Sequence, residues 1–267
     1  ATSQESLQKK LLRLWWNKVK DIHVKWISFI LDLIFKNNES RIKRKSEQKR
    51  GSYSMMKIPV ENLGLFEQLD RTVVAFFKKQ ETTNPYDLNV SITQEHFDKK
   101  RQELEPLGFQ AVQIPLGMAL DNVIQQAHFK DLIIGDLAPE EIIVSKEALM
   151  PMKDIVDSFC IMYAAANNRL ENCKAYELMK NKTVYFIGKL LTDSPQKGDE
   201  IAYMGIDRTA SDGTPYEAVK CFLTKESAEK YNEEKRPVTP ANLAYLKSFW
   251  GKPVIIEPHR NYWIEFL

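Results

Sequence analysis

Few residues in this 267-residue chain have types and spacings that could support chemistry. No HExxH, CxxC or mixed Cys/His cluster occurs, so we expect neither a dedicated metal site nor a disulfide framework. The chain also lacks a P-loop, a GxGxxG fingerprint and a GxSxG elbow, and we therefore predict no cofactor. The residues that remain to be considered are His23, His96, His128, His259, Cys160, Cys173 and Cys221.

One compact pair could exchange protons. Glu257 and His259 lie near the end of a predicted strand, where a carboxylate and an imidazole could act as acid and base. A polar turn is the alternative. The paired acids Glu140 and Glu141 occupy the corresponding turn earlier in the chain, where we likewise expect a polar turn.

Two other candidates favour structural roles. Cys221 lies in "EAVKCFLT", whose alternation places it on one face with Val219 and Leu223, as is typical of a core cysteine rather than a nucleophile. His96 follows Glu95 and is expected on the surface of a helix.

The terminal stretch "NYWIEFL" offers a binding signal instead. Alternation places Tyr262 on the core face of a strand and Trp263 on the other face. Because aromatic residues are favoured at the centres of interfaces, both are predicted partner contacts, with a covered Trp263 as the alternative.

The elements that must position these residues are written twice. "RTVVAFF" from Arg71 and "KTVYFIG" from Lys182 are nearly the same phrase, each predicted to be a buried strand after a short helix. Three further blocks follow each phrase in the same order. They are a strand ending at Thr93 or Thr224 that caps a helix, a Leu-centred helix with an early Pro, and two apolar strands joined by a turn. Four blocks in one order indicate two copies of one α/β unit.

The domain organisation follows from this repeat. We predict an α/β (α+β) protein with two tandem, small, mixed-sheet domains behind an amphipathic helical arm. The second copy inserts a hairpin that turns at Asp212-Gly213, and a mostly helical connector is predicted to break at Asn167-Asn168. The predicted segments are an arm and linker at 1–54, a first repeat at 55–151, a connector at 152–169 and a second repeat at 170–267.

The second copy resembles a known family. "KTVYFIGKL", "YEAVKCFLTKESAEKY" and "FWGKPVIIEPHRNYWIEF" resemble the SseB-like (enhanced serine sensitivity) family over residues 170–267. The first copy resembles it more loosely and lacks the hairpin, and the arm is not covered. Members of that family are α/β proteins without a well-defined enzymatic role, so the resemblance implies a binding or regulatory module.

The arm differs from the body in charge. Residues 1–54 carry thirteen Lys and Arg against five Asp and Glu, a net charge of +8, whereas the rest of the chain has a net charge of −6. Apolar residues at alternating steps of three and four predict one face of a helix, and its longest uncharged stretch is too short to span a membrane. That face could lie on an anionic membrane, pair with a partner helix or pack on the body. The face comprises Leu12, Trp15, Val19, Ile22, Trp26, Phe29 and Leu33.

These observations predict a non-enzymatic protein-binding adaptor of the bacterial cytoplasm, whose arm could hold it at the periphery of the membrane. Few, widely spaced cysteines suit a reducing compartment, and we expect no secretory signal. The basic run "RIKRKSEQKR" lacks the interleaved aromatic residues that would favour specific nucleic-acid binding. The alternatives are an enzyme with a site between the copies, and a toxin-neutralising or secretion-associated protein whose acidic body binds a basic partner. The predicted partner-binding residues are Trp15, Trp26, Phe29, Arg41, Lys43, Arg44, Lys45, Tyr262 and Trp263.

Overall fold

A computed structural model describes residues 64–80, 84–135, 141–190 and 201–267. The chain divides into two compact units, residues 1–48 and residues 49–267, and all of the described residues belong to the second. The predicted α+β class is confirmed, because this unit contains two mixed β-sheets and several helices. The predicted arm, 1–54, lies outside the described residues.

The first sheet has five strands in the order β3-β1-β2-β4-β5. Neighbouring strands are antiparallel except β2 and β4, which form a central parallel pair. The β-branched and aromatic residues of these segments suit strands, and their alternation buries one face of the sheet. The strands are β1 (Thr72–Lys78), β2 (Tyr86–Ser91), β3 (Phe109–Pro115), β4 (Phe129–Ile134) and β5 (Ile142–Ser145).

The second sheet repeats this pattern. Its main strands have the order β10-β6-β9-β11-β12, with β9 and β11 as the parallel pair and the other neighbours antiparallel. Two additional strands, β7 and β8, pair with β6 and β9, and the predicted hairpin is confirmed between β8 and β9, where Gly213 has a φ of 85°. The strands are β6 (Thr183–Leu190), β7 (Ile201–Tyr203), β8 (Gly205–Thr209), β9 (Pro215–Phe222), β10 (Val238–Asn242), β11 (Val254–Ile256) and β12 (Ile264–Phe266).

Seven α-helices connect and cover the strands in the described ranges. The predicted caps are confirmed, since Thr93 Oγ1 accepts the His96 N–H (3.3 Å) and Thr224 Oγ1 accepts the Ser227 N–H (3.0 Å). The predicted break in the connector is also confirmed, because the connector helix ends at Ala166. The helices are α1 (Gln94–Leu104), α2 (Leu116–Gln125), α3 (Lys146–Leu149), α4 (Lys153–Ala166), α5 (Asn172–Met179), α6 (Lys225–Lys230) and α7 (Leu243–Trp250).

The two sheets share one hydrophobic core. Buried residues of both sheets belong to a single cluster, and helices α2, α4 and α5 contribute to it. The Phe159 ring of α4 meets the Tyr262 ring edge-on, with 4.7 Å between the ring centroids. The two sheets are therefore packed together within one unit. The names first repeat and second repeat are kept below for the segments predicted at 55–151 and 170–267.

The prediction for one block needs correction. The two segments with an early Pro were expected to begin as helices, but each begins as an edge strand. Pro115 is the last residue of β3, and Pro240 lies within β10. An edge strand tolerates proline because one of its two sides needs no N–H donor for pairing within the sheet.

Candidate functional site

A buried hydrogen-bonded network lies where the central parallel strands of the first repeat end. Ser91 Oγ lies 2.7 Å from His96 Nδ1, and His96 Nε2 lies 3.2 Å from Glu141 Oε1. Lys100 Nζ reaches the same Glu141 oxygen at 2.7 Å. His96 is 8% exposed, so the expectation of a surface histidine was wrong. The reason is that α1 packs against β2 with this side of the helix facing the sheet.

A second buried group lies at the corresponding end of the second repeat. The Glu257 side chain is fully buried, and its carboxylate accepts hydrogen bonds from Leu223 N–H (2.8 Å) and Ser227 Oγ–H (3.1 Å). Its backbone has a φ of 52°, the left-handed conformation that non-glycine residues rarely adopt. Arg260 Nε lies 3.8 Å from the carboxylate.

The backbone makes Gly135 and Glu257 equivalent. The Gly135 N–H donates to Val90 O in the first repeat, and the Glu257 N–H donates to Cys221 O in the second, each at 2.9 Å. Each of these bonds joins the residue after one parallel strand to the neighbouring parallel strand.

The caps make His96 and Ser227 equivalent in the same way, since each follows its cap threonine by three residues. A Cβ atom at Gly135 would lie 2.1 Å from the His96 ring. The first repeat therefore combines a large residue at 96 with a glycine at 135, whereas the second combines a small Ser227 with a large Glu257. The large polar side chain of this pair of positions comes from the helix in the first repeat and from the turn after the strand in the second.

The two carboxylates have opposite electrostatic environments. Burial raises the pKa of Glu257 above its ordinary value, and the hydrogen bonds from Leu223 and Ser227 oppose that effect only in part. Burial also disfavours the Glu141 carboxylate. Hydrogen bonds and charge from Lys100 and His96 outweigh it and hold the pKa of Glu141 below its ordinary value.

The Ser91–His96–Glu141 arrangement has the order of groups that serine hydrolases use to activate a nucleophile. Ser91, however, is only 1% exposed beneath α1, so a substrate carbonyl cannot approach its hydroxyl while the helix is in place. We interpret the network as a set of structural hydrogen bonds that hold α1 on the first sheet.

The proposed proton-exchanging pair is not brought together. The Glu257 carboxylate points into the protein, whereas His259 is exposed and its ring stacks on Tyr231 with 4.0 Å between centroids. Cys221 is fully buried and burial raises the pKa of its thiol, which is consistent with the expected core role. Within the described ranges, no group of three His, Cys, Asp or Glu residues is placed to hold a metal ion.

The contact between the repeats is filled by side chains. Glu67, from the segment before β1, accepts hydrogen bonds from Arg260 (2.8 Å) and Lys230 (3.0 Å) of the second repeat. The Arg260 guanidinium also lies 5.5 Å from the centre of the Phe66 ring. Two shallow clefts, of about 520 Å³ beside α6 and about 140 Å³ beside α1, each lie within one repeat rather than between them.

An aromatic surface lies on the outer face of the second sheet. Trp263 is 40% exposed, and the Arg208 guanidinium lies 5.1 Å from its ring centre. Arg208 also contacts Glu265 at 3.3 Å. We call Ile206, Arg208, Tyr216, Trp263 and Glu265 the Trp263 surface. Its members lie on β8, on β9, and on or just before β12.

The predicted partner-binding residues fall in different places. Trp263 is exposed, as predicted, but Tyr262 is 1% exposed against Phe159 and cannot reach a partner while the core is intact. Within the described residues, no helix is long and apolar enough to cross a membrane. The remaining predicted contacts lie outside the described residues. They are Trp15, Trp26, Phe29, Arg41, Lys43, Arg44 and Lys45.

Comparisons with known proteins give no family. No protein-family profile matches the chain, and no curated protein matches it. Among solved structures, Tic22 of Anabaena (protein transport) has 12% sequence identity and a TM-score of 0.20, over 75% of this chain and 93% of that one. A TM-score this low does not indicate a shared fold and carries no argument. The resemblance to the SseB-like family stays a prediction.

The buried polar groups around His96 and Glu257 were not predicted, although the sequence contains one signal for them. Gly135 directly follows the apolar run of β4, at the place where Glu257 follows β11. Aligning the two copies there would have paired a glycine with a glutamate at one junction. The contact of His96 with Glu141, 45 residues away, depends on how α1 packs on the sheet, and local pattern does not carry that information.

Proposed function

We propose that this chain is a non-enzymatic protein-binding module and that the Trp263 surface contacts its partner. The observation that carries the proposal is a 40% exposed tryptophan held beneath Arg208 on a sheet face. A large aromatic side chain fixed in place buries much area at little cost in conformational entropy, which is why tryptophan is common at binding hot spots.

The filled contact between the repeats supports binding over turnover. The enzyme alternative needs a polar cleft between the copies, but Arg260, Glu67 and Phe66 occupy that contact. The candidate acid and base, Glu257 and His259, point in different directions. We therefore favour a module that binds without turnover, in keeping with what the SseB-like resemblance implies.

The charge division supports a second attachment through the arm. The basic segment 1–54 precedes a body of net charge −6. We propose that the arm binds an anionic membrane surface or a partner helix, and that the protein works in the cytoplasm at that surface.

Site-specific photo-cross-linking tests the proposal. A photo-reactive residue is placed at position 263 of the full chain, and in a second sample at Met150, which is similarly exposed (44%) in the first repeat. In an extract of the source organism, we expect one discrete adduct from position 263 and none from position 150. The adduct protein is then purified. We expect Trp263→Ala to weaken its binding about thirtyfold and Met150→Ala to leave it unchanged. Equal binding by all three proteins, or equal adducts from both positions, would exclude the Trp263 surface as the contact.

A further inference from the structure

The edge strands of the two sheets differ in their protection against pairing with another strand. An unpaired edge offers free N–H and C=O groups, and proteins usually protect it by proline, charge, shortness or cover. The β12 edge has three residues, and its Glu265 carbonyl accepts a hydrogen bond from Asn172 Nδ2 (3.3 Å). The β5 edge has only four residues.

The β10 edge is protected by proline. Gly188 N–H donates to Pro237 O, and Leu243 N–H donates to Lys182 O. Because bonded positions alternate along an antiparallel pair, residue 240 must direct its backbone away from β6. Pro240 therefore removes one N–H group from the outer edge of the second sheet.

The equivalent strand of the first sheet, β3, lacks this protection. Its pairing with β1 has the same alternation, since Leu116 N–H donates to Arg71 O at 2.9 Å. The N–H groups of Phe109, Ala111 and Gln113 consequently point away from β1. Gln113 stands where β10 has Pro240, each lying two positions before the residue paired with the first threonine of the neighbouring strand.

The outer edge of β3 is long, uncharged and unpaired among the described strands. The strand has seven residues, and the sequence "LGFQAVQIP" from Leu107 to Pro115 contains no charged residue. None of the described strands lies beyond β3 in the sheet order. Leu107 ends the 3-10 helical turn two residues before this strand and is 69% exposed.

We propose that β3 pairs antiparallel with β3 of a second copy of this chain, about a two-fold axis at Ala111. In that register Ala111 faces Ala111 of the second copy, and Gln113 faces Phe109 in both directions. Each of the three outward N–H groups of each copy then meets a carbonyl, about six hydrogen bonds in total.

Self-pairing is favoured over pairing with a foreign strand because the edge is complementary to itself. The two-fold axis gives every outward N–H group a carbonyl partner and brings no like charges together within the paired strands. This proposal is independent of the Trp263 surface, which lies on the other sheet.

Introducing a proline into β3, at the position where β10 has Pro240, tests the proposal. Gln113→Pro gives β3 the residue that β10 tolerates at the equivalent position, so the fold should be retained. Sedimentation velocity of the full chain over a concentration series should show a reversible dimer. Gln113→Pro should weaken it about thirtyfold, because two of the six hydrogen bonds are lost. The matched control Pro240→Gln should leave dimerisation unchanged.

A second measurement defines the register. In a Cys173→Ser background, which removes the exposed native thiol, Ala111→Cys should form a covalent dimer efficiently with a short thiol-reactive cross-linker. Gln113→Cys should not, because it faces Phe109 of the second copy. A monomer at all concentrations, a dimer that Gln113→Pro leaves intact, or equal cross-linking at both positions would each overturn the proposal. Pairing of β3 with a foreign strand or with residues 1–63 would appear as the first of these results.

Discussion

The imidazole ring of His96 fills the space beside Gly135, and Gly135 is the position in the first repeat that corresponds by backbone hydrogen bonding to Glu257 in the second. His96 and Glu257 come from different elements, one from the helix after the first parallel strand and the other from the turn after the second. Each is accompanied by a small residue at the opposite position, Gly135 or Ser227. In each repeat a large polar side chain thus lies beside a small residue, and other polar groups of the same repeat supply its hydrogen-bond partners.

This exchange predicts a specific rescue. Gly135→Ala places a methyl group against the His96 ring and should lower the free energy of unfolding by about 1–3 kcal/mol. Adding His96→Ser, the residue of the second repeat, should recover at least about 1 kcal/mol of that loss, because it vacates the space. Urea unfolding of the four proteins of this double-mutant cycle measures the coupling. Strictly additive losses would mean that the ring and the glycine are not packed as described.

The pKa of Glu257 is raised and that of Glu141 is lowered, so the two residues should affect stability in different pH ranges. Glu257 has a raised folded-state pKa, so its contribution to stability falls as the pH rises from the ordinary value of 4.5 through the folded value. Glu257→Gln should abolish that fall, because the amide oxygen still accepts the Leu223 N–H. Glu141 has a lowered folded-state pKa, so its contribution is lost only as the pH falls below 4.5. Glu141→Gln should therefore reduce only the loss of stability that occurs as the pH falls below 4.5. Thermal unfolding between pH 3 and pH 8 separates the two, and an unchanged profile in either variant would contradict its assignment.

The sequence predicted the strand phrases, both helix caps and the hairpin because these depend on local pattern. Thr93 and Thr224 cap their helices, and Gly213 supplies the turn, through contacts within three residues. The strands β3 and β10 were missed because "FQAVQIP" and "VTPAN" are partly polar and contain proline, so edge position rather than propensity decides their conformation. The buried hydrogen bonds of His96 and Glu257 were missed because they join residues far apart in the chain, as with Glu257 and Leu223.

Tyr262 and Trp263, the adjacent aromatic residues before the last strand, should differ in how much stability they lose on substitution. Tyr262 is buried, so Tyr262→Ala should lower the free energy of unfolding by about 3–5 kcal/mol. Its hydroxyl is buried without a hydrogen-bond partner, so Tyr262→Phe should be neutral or stabilising, by up to about 1 kcal/mol. Trp263→Ala should cost less than about 1 kcal/mol, because this side chain is partly exposed. Chemical denaturation measures all three, and a large loss in Tyr262→Phe would show that the hydroxyl has a partner.

The arm should bind anionic membranes through its apolar face if it is a surface anchor. The full chain should float with anionic vesicles at low salt and should not float with neutral vesicles. Replacing Trp15, Trp26 and Phe29 by Ala should abolish flotation without changing the circular dichroism of the body. The matched control is replacement of the body's Trp263 by Ala, which should float like the parent chain. Flotation that survives the triple substitution would exclude the apolar face as the anchor.

Arg260 should contribute more to stability than the glutamate it contacts. Its side chain is 11% exposed and faces Glu67, Glu257 and the Phe66 ring, whereas Glu67 is 43% exposed. Glu67→Gln should therefore cost only about 0.5–1 kcal/mol, and high salt should reduce that cost. Arg260→Ala should cost about 3 kcal/mol or more, because it opens the contact between the repeats and leaves the buried Glu257 carboxylate without a nearby positive charge. The loss of stability caused by Arg260→Ala should be smaller in a Glu257→Gln background, since the amide carries no charge to compensate. Equal losses for Arg260→Ala with and without Glu257→Gln would mean that Arg260 acts through packing on Phe66 alone.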